Sequence, residues 1–342
     1  MSSLRRLCLL CIIGAQLVPG TAARAASVPE WAKPAVRYLV DAGAVDRDEF
    51  RGNKPMARAA FTAIMKKTFG GGYSRRKGNV KAKEVSKALV RALGRSEAAA
   101  RLAGAASPNG WSPARPRSFG TEIVAREMGL RHDRPTSEDQ FEASANEPMS
   151  QADVAWAVWK AKTAPGTSGA QALETFEFSN YGKTRREVIE YALSLVGKPY
   201  VWAGEWPART PDGYPYGAQV HGGFDCSGFL WYVLREKETS YKPVDRPYPG
   251  WRFPERSSSE MAKATPNDER LGYKKLIPGD VVLFAPNGAD SKPSEVYHAG
   301  LYLGKGWMIH SSGSRAGPSI SSLGPGSWWH DQLIFGRRVI TN

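Results

Sequence analysis

Cys226 lies between an aspartate and a serine in the stretch GGFDCSGFLWYV, residues 222–233. The apolar residues Phe229, Leu230 and Val233 follow it at helical spacing, which predicts that Cys226 lies in the first turn of a helix. At a helix start, the free backbone amides and the helix dipole favour a thiolate, and a nearby imidazolium would favour it further. The stretch therefore predicts a nucleophilic cysteine.

Two histidines flank a predicted hairpin in the stretch HAGLYLGKGWMIH, which His298 opens and His310 closes. If residues 304–306 form a three-residue loop, Gly300 lies opposite His310, and the two histidines become diagonal neighbours on one face. A two-residue loop would place them on opposite faces. With the longer loop, the sequence predicts Cys226 as nucleophile, His298 as base and His310 as the group that orients the base.

Other interpretations of these residues stay open. A buried cysteine without chemistry is common in proteins. Cys226, His298 and His310 are also residue types that bind zinc, so a metal site is an alternative. The sequence favours acyl transfer over metal binding, because a cysteine at a helix start suits a nucleophile better. We expect no cofactor.

The N-terminus has the pattern of a secretory signal. Arg5 and Arg6 precede an apolar run from Leu7 to Val18, and small residues at 23 and 25 predict cleavage after Ala25. That run is shorter than the roughly 20 residues that a transmembrane helix needs. Cleavage after Ala25 would leave Cys226 as the only cysteine, which excludes a disulfide framework. The sequence thus predicts a secreted protein with a signal peptide over residues 1–25 and no transmembrane anchor.

The chain carries 47 Lys and Arg against 33 Asp and Glu, a formal net charge of +14. Loss of Arg5, Arg6 and Arg24 with the signal would leave +11. Outside the cell, this excess favours anionic wall polymers and membrane surfaces as partners. The basic residues are scattered and form no dense aromatic-basic motif, so the pattern does not favour nucleic acid.

Residues 27–163 have the pattern of short, repeated helices. The stretches NKPMARAAFTAIMKKTFGG and NEPMSQADVAWAVWKAKT align at an offset of 93 residues, and NVKAKEVSKALVRALG is a degenerate third copy. Identical residues at that offset are Asn53/Asn146, Pro55/Pro148, Met56/Met149, Ala59/Ala152 and Lys67/Lys160. Repeats that cannot bury an apolar face alone are expected to stack on one another.

This region resembles S-layer homology repeats, through Trp31-Ala32 at the first helix and the run from Met56 to Ala60 at the second. The resemblance implies an all-α repeat domain that binds anionic secondary polymers of the bacterial wall. The first copy keeps Arg58 of the family's Thr-Arg-Ala-Glu run but lacks its glutamate, and the second copy has lost the arginine. Polymer binding and a plain helical spacer therefore both stay open.

A turn-rich linker over residues 164–180 leads to a region of different composition, residues 181–342. A capping-box pattern from Thr184 to Glu187 predicts a helix start, and several strand-like segments follow, including Val281–Phe284. A helix followed by antiparallel strands predicts an α+β domain.

Six motifs in this region, taken in order, resemble the NlpC-type cysteine peptidases of bacterial cell walls. They are GKPYVWAG, FDCSGF, RSSSE, IPGDVVLF, HAGLYLGKGWMIH and GRRVI. The resemblance implies a papain-like fold with a central antiparallel sheet. It matches Cys226, His298 and His310 to the catalytic residues, and Tyr200 to a tyrosine whose hydroxyl helps to bind the oxyanion. Asp225 and Ser227 match residues that line the substrate subsites.

The implied reaction is hydrolysis of an amide in the peptide stem of peptidoglycan, typically between γ-D-glutamate and a diamino acid. An amidase or acyltransferase of the same fold is a variant, and a wall-binding protein with a degenerate peptidase domain is an alternative from another class. The chain departs from the family in an insertion over residues 205–223 and a long segment before Pro278. Both are rich in aromatic residues, Pro and Arg, and either could wall or roof the cleft.

Overall fold

A computed structural model describes residues 27–71, 77–105, 118–163, 182–214, 218–235 and 254–341. The predicted signal peptide, the linker over 164–180 and most of the aromatic segment before Pro278, residues 236–253, lie outside these ranges. None of the helices within them is long and apolar enough to cross a membrane.

The N-terminal part of the described chain, residues 27–163, carries helices with buried apolar faces, such as Ala35, Val36 and Leu39. The helices are α1 (Lys33–Asp41), α2 (Arg58–Phe69), α3 (Ala82–Ala92), α4 (Ser96–Ala100), α5 (Phe119–Glu127) and α6 (Gln151–Thr163). The first residues of α2 and α6, Arg58 and Gln151, lie 93 positions apart, which is the offset of the sequence repeat.

Three segments that precede α2, α3 and α6 join in a closed ring of backbone hydrogen bonds. Met56 N–H donates to Met149 O (2.9 Å), Met149 N–H to Val80 O (3.0 Å), and Val80 N–H to Met56 O (2.9 Å). All three side chains are buried. Because each segment donates once and accepts once, the ring satisfies backbone groups that would otherwise be buried without partners.

The C-terminal part of the described chain, from residue 182, builds a five-stranded antiparallel sheet in the order β6-β5-β4-β3-β7. A two-stranded sheet, β1-β2, lies beside it. The strands are β1 (Glu205–Trp206), β2 (Gly223–Phe224), β3 (Val281–Phe284), β4 (His298–Gly304), β5 (Trp307–Ser312), β6 (Gly317–Ser322) and β7 (Leu333–Arg337). The helices are α7 (Lys183–Leu193), α8 (Cys226–Leu234), α9 (Ser258–Lys263) and α10 (Trp328–Asp331).

The β4-β5 hairpin has the predicted register and a different loop. Leu301 pairs with Ile309, so Gly300 lies opposite His310, as the three-residue loop predicts. The register then shifts before the turn, where Gly304 pairs with Trp307. The loop is therefore a two-residue turn, and the irregularity beside it supplies the extra residue that keeps both histidines on one face.

Helix α7 begins two residues earlier than the capping box predicts. Its first residue is Lys183, and Gly182 occupies the N-cap position without a side-chain hydrogen bond. Arg185, in the first turn, donates to Pro278 O (2.9 Å) and to Ile340 O (2.6 Å). Thr184 thus lies inside the helix, and the prediction that it caps the helix was wrong.

The helical region and the sheet share one buried apolar core. Helix α5 packs against β6, and the same cluster of buried side chains includes Ile123 from α5 and Val188 from α7. Backbone groups also meet across the boundary, where Ala145 N–H donates to Gly197 O (3.0 Å). Because apolar burial is the main favourable contribution to folding, the two regions stabilise one another.

Replacement of Gly120 by Ala tests the close packing of α5 on α4. A Cβ at Gly120 would overlap the carbonyl oxygen of Ala99, so the backbone would have to move apart. We expect Gly120→Ala to lower the free energy of unfolding by about 1–3 kcal/mol, although alanine is the better helix former. Chemical denaturation measures the change. Gly272→Ala is the matched control, because a Cβ there meets nothing within 4 Å, and equal stability of the two variants would contradict the packing.

Candidate active site

Cys226 is the first residue of α8, directly after β2 and the N-cap residue Asp225. The Asp225 carboxylate accepts from Gly228 N–H (2.6 Å), and Ser311 on β5 donates to Phe224 O (2.7 Å). The cap and this bond fix the chain on both sides of the cysteine. The Cys226 side chain is half-buried, with Sγ 4.0 Å from the carbonyl oxygen of Tyr297. The thiol therefore lies at the start of β4, where His298 follows.

His298 and His310 form a buried hydrogen-bonded pair. Nε2 of His298 lies 2.7 Å from Nδ1 of His310, and Nε2 of His310 lies 2.9 Å from Oγ of Ser321 on β6. The Trp329 ring stacks on His298 at 4.6 Å between centroids. A Cβ at Gly300 would come within 3.2 Å of His310 Cβ, so glycine at this position leaves room for the imidazole opposite. The chain His298–His310–Ser321 fixes the orientation of both rings.

Burial keeps the thiol and both imidazoles neutral. It raises the pKa of Cys226 to about 12, assisted by Asp225, whereas the backbone amides of Ala299 and Ser227 act in the opposite direction. Burial also lowers the pKa of His298 to about 3 and holds the pKa of His310 well below its ordinary value. The expectation of a resting thiolate was wrong, because loss of hydration outweighs the helix start. The resting state is a thiol beside a neutral imidazole.

Tyr200 lies on the segment between α7 and β1, and its backbone N–H donates to Ala316 O (3.2 Å). Burial first, and then the proximity of Cys226 and Asp225, raise the pKa of its phenol. The hydroxyl therefore keeps its proton at neutral pH and can donate a hydrogen bond. The structure brings this side chain to the region of the thiol, and its role in binding an oxyanion stays a prediction.

Asp225 and Ser227 both have partners within the protein. Ser227 Oγ donates to Asp225 (3.1 Å), and Nη1 of Arg256 donates to Ser227 Oγ (2.9 Å) and lies 3.3 Å from the Asp225 carboxylate. Ser227 is buried and Asp225 half-buried. These contacts hold the start of α8, and contact of either residue with substrate stays a prediction.

The described part of the insertion, residues 205–214 and 218–223, braces the segment before Cys226. Glu205 accepts from Arg256 and from the hydroxyl of Tyr214 (2.5 Å). The Gln219 amide bonds backbone groups at both ends of the insertion, among them Glu205 N–H (2.9 Å) and Gly223 O (3.2 Å). Trp206 packs on Tyr232 of α8. The insertion is therefore anchored to the helix that carries the nucleophile.

Two residues that contact the histidine pair were missed by sequence reasoning. Ser321 reaches His310 from β6, and Trp329 reaches both histidines from α10. No local pattern identifies them, although the alternation of side chains along β6 would place Ser321 on the histidine face once the β5-β6 register is known. Among the described residues, no group of three or more His, Cys, Asp or Glu is arranged to hold a metal ion.

Comparison with known proteins identifies the C-terminal region. Residues 197–338 match the model of the NlpC/P60 family. The chain carries an NlpC/P60 domain. This domain spans β1 to β7 and contains Cys226, His298 and His310.

Curated relatives of this region include endopeptidases, among them a probable peptidoglycan endopeptidase of Bacillus subtilis that is 30% identical over 152 residues, 44% of this chain and 34% of the relative. A bifunctional muramidase/DL-endopeptidase of Bacillus subtilis is 30% identical over 151 residues, 44% of this chain and 35% of the relative. A γ-D-glutamyl-L-lysine dipeptidyl-peptidase of the same organism is 26% identical over 166 residues, 48% of this chain and 44% of the relative. A solved NlpC/P60 family protein from Bacillus cereus has a TM-score of 0.33 at 23% identity, covering 48% of this chain and 42% of that one. The chain spans less than half the length of these three curated relatives.

The buried histidine pair predicts a specific pH dependence of stability. The pKa of His298 is about 3 in the folded state and ordinarily 6.5, so between these values the unfolded chain binds the additional proton. His298 therefore lowers stability as the pH falls through 6.5 towards 3, by about 2 kcal/mol at pH 5. We expect the loss of unfolding free energy between pH 7.5 and pH 5 to be smaller by this amount in His298→Gln than in wild type.

The difference between variant and wild type is the relevant measurement, obtained by denaturant titration at both pH values. Asp133 and Glu142 have pKa values raised by burial, to about 7 and about 8, and contribute with the opposite sign in both proteins. His330→Gln, outside the pair, is the matched control. An unchanged pH dependence in His298→Gln would show that the imidazole has the same pKa in the folded protein as in the unfolded chain.

Proposed function

We propose that this chain is a cysteine peptidase that cuts an amide bond in the peptide stem of peptidoglycan, with Cys226 as nucleophile. The observation that carries the proposal is the thiol at the start of α8 beside the hydrogen-bonded chain His298–His310–Ser321. The NlpC/P60 domain and its relatives among peptidoglycan endopeptidases support the substrate class.

In the first step, the Cys226 sulfur attacks the carbonyl carbon of the amide while the thiol proton passes to His298. His298 uses Nε2 to bond His310, so Nδ1 is the nitrogen that takes this proton. Because thiol and imidazole start neutral, proton transfer accompanies the attack, and His310 stabilises the imidazolium that forms. The negative charge develops on the substrate oxygen, where the Cys226 backbone amide and the Tyr200 hydroxyl donate hydrogen bonds.

The imidazolium of His298 then donates its proton to the departing amine, and the C–N bond breaks to leave a thioester on Cys226. Water attacks this thioester with His298 again as base, which releases the carboxylic acid and restores the thiol. The proton that His298 removes from water returns to the sulfur, so each cycle consumes one water.

We further propose that the bond lies between γ-D-glutamate and the diamino acid of the stem. Two relatives carry related names, a DL-endopeptidase and a γ-D-glutamyl-L-lysine dipeptidyl-peptidase. Asp225 and Ser227, next to the thiol, are the side chains that we assign to the substrate subsites. Arg256 orients both of them, which fixes the polar groups that a peptide would meet.

Digestion of purified muropeptides tests the mechanism. We expect wild type to release two fragments whose masses identify the bond, and Cys226→Ala to release none. His298→Gln should reduce kcat/KM by at least about 10³-fold. Removal of the general base costs at least this much in hydrolases that use a nucleophile, a base and an orienting group. Mass spectrometry of the products and initial rates give both results.

The controls separate chemistry from folding. His330→Gln removes a histidine of the same domain and should keep wild-type rates. Fragments produced equally by wild type and Cys226→Ala would contradict the thiol mechanism. If wild type releases no fragment but binds the muropeptides, the domain is a wall-binding module, and cleavage between glycan and peptide would identify an amidase.

We also propose that residues 27–163 are S-layer-homology-like repeats that hold an exported protein on the wall through anionic secondary polymers. The ring of Met56, Val80 and Met149 is evidence for three related segments. Each of these residues lies two positions before the first residue of its helix, so equivalent positions of the repeat meet in the ring. The formal net charge of +14, of which +11 would remain after loss of the signal, supports an anionic ligand. A helical spacer without a ligand is the alternative.

Sedimentation with intact walls tests this role in the full chain, with Cys226→Ala used to prevent digestion. We expect walls stripped of secondary polymers by mild acid to retain at least about tenfold less protein, since the multiple anionic groups of the polymer would be lost. Equal retention on both kinds of wall would contradict polymer binding and favour the spacer. Amino-sugar analysis is the control, because it shows whether the stripped walls contain as much peptidoglycan as the untreated walls.

A further inference from the structure

Arg126, at the end of α5, reaches from the helical region into the peptidase region. Its side chain is fully buried. Nη2 donates to Lys198 O (2.9 Å), and Nη1 donates to Ala316 O and lies 3.1 Å from Arg315 O. The guanidinium thus joins two segments that are more than a hundred residues apart in sequence, residue 198 and residues 315–316.

These two segments are the immediate supports of Tyr200. Lys198 lies two residues before the tyrosine, and Ala316 O accepts both from Arg126 and from the backbone N–H of Tyr200 (3.2 Å). Tyr200 and Arg126 therefore share one acceptor. A displacement of the Ala316 carbonyl would move the backbone of Tyr200 with it.

The backbone around this acceptor is tightly packed. Ala316 has a left-handed conformation with φ +56°, which is uncommon for a residue other than glycine. A Cβ at Gly317 would overlap Lys198 O and lie 2.8 Å from Nη1 of Arg126. The close approach requires glycine at 317, and the guanidinium occupies the remaining space.

The placement of a charge in this interface is costly unless hydrogen bonds compensate for the lost water. Burial lowers the pKa of Arg126 to about 9, with a further contribution from Arg131, while Glu122 acts in the opposite direction. The side chain is thus still a cation at neutral pH. A plain apolar contact would hold the two regions together without this cost, so the carbonyl bonds are the specific contribution of the arginine.

We propose that Arg126 is a positioning residue for Tyr200, through which the helical region sets the geometry of the oxyanion site. The inference rests on the proposed peptidase function and on the donor role of Tyr200. Arg126 does not touch the substrate in this arrangement. It holds the Lys198 and Ala316 carbonyls in fixed positions, and they hold the backbone from which the phenol extends.

Lysine cannot replace the arginine in this role. A guanidinium presents several N–H groups in a planar fork and reaches two carbonyls in different directions, whereas an ammonium is a compact point charge on a flexible stem. Arg126→Lys keeps the positive charge and loses the bridge. A small displacement of a catalytic group can cost about 100-fold in rate, so we expect kcat to fall by about 10-fold to 100-fold with a small change in KM.

A double-mutant cycle of Arg126→Lys and Tyr200→Phe, measured as kcat and KM on the cleaved muropeptide, tests the inference. Tyr200→Phe alone should lower kcat by about 100-fold, as expected for loss of an oxyanion donor. If Arg126 acts through Tyr200, Arg126→Lys should cost less than about threefold in kcat when Tyr200 is already Phe. Independent effects that multiply in the double variant would overturn the inference.

Arg131→Lys is the matched control. Arg131 is a buried arginine of the same region, but it bonds Glu122 (3.1 Å) and Ala143 O and neither segment around Tyr200. We expect it to lower the thermal unfolding midpoint and to leave kcat within about twofold of wild type, because Arg131 meets Arg126 only through the shared Glu122 carboxylate and leaves the bonds to Lys198 O and Ala316 O in place. A loss of kcat equal to that of Arg126→Lys would overturn the specific role of Arg126.

Arg315→Lys keeps the inference testable if Arg126→Lys does not fold. Arg315 is partly exposed and ties the same loop to α5 through Glu127, with Nη1 3.0 Å from Glu127 O. Its effect on kcat should also disappear in the Tyr200→Phe background, and an additive effect would overturn the inference. Failure of the proposed function gives a different result, since wild type and Cys226→Ala would then release the same products.

Discussion

The buried hydrogen bond between His298 and His310 is the constraint that determines much of the peptidase region. It requires β4 and β5 to pair in one register, with glycine at 300 opposite His310. It also requires a partner for the outer nitrogen of His310, which Ser321 supplies from the next strand. A buried imidazole without hydrogen-bond partners would be unstable. The neighbouring positions of β4, β5 and β6 and the register shift before the β4-β5 turn therefore follow from this pair.

Burial of the pair also determines how the thiol can react. A charged thiolate–imidazolium pair would have to form where both groups have lost their water, and the pKa values of Cys226 and His298 shift away from each other accordingly. The neutral pair is therefore the resting state, and in the proposed mechanism charge appears only when substrate supplies an oxyanion for the donors to stabilise.

The sequence predicted the parts of the site that depend on local pattern. The helix start at Cys226 and the hairpin face shared by the histidines follow from apolar spacing and strand alternation, and both are confirmed by the structure. The loop was wrong because a two-residue turn needs positive φ at Lys305, which nothing in a lysine predicts. The thiol pKa was wrong because burial is a tertiary property. Contacts of Arg126 and Ser321 lie beyond any local pattern, since they join distant segments.

The shared core changes how the helical region should be understood. A module joined only by a linker could bind the wall without any effect on catalysis. Here α5 packs on the edge strand β6, and one guanidinium bonds the carbonyl of Lys198 and the Ala316 carbonyl that accepts from Tyr200 N–H. Any force or ligand that displaces α5 acts on Ala316 and, through it, on the tyrosine. The position of α5 and the geometry around Tyr200 are thus physically linked in this chain, because Arg126 of that helix bonds the carbonyl that also accepts from Tyr200 N–H.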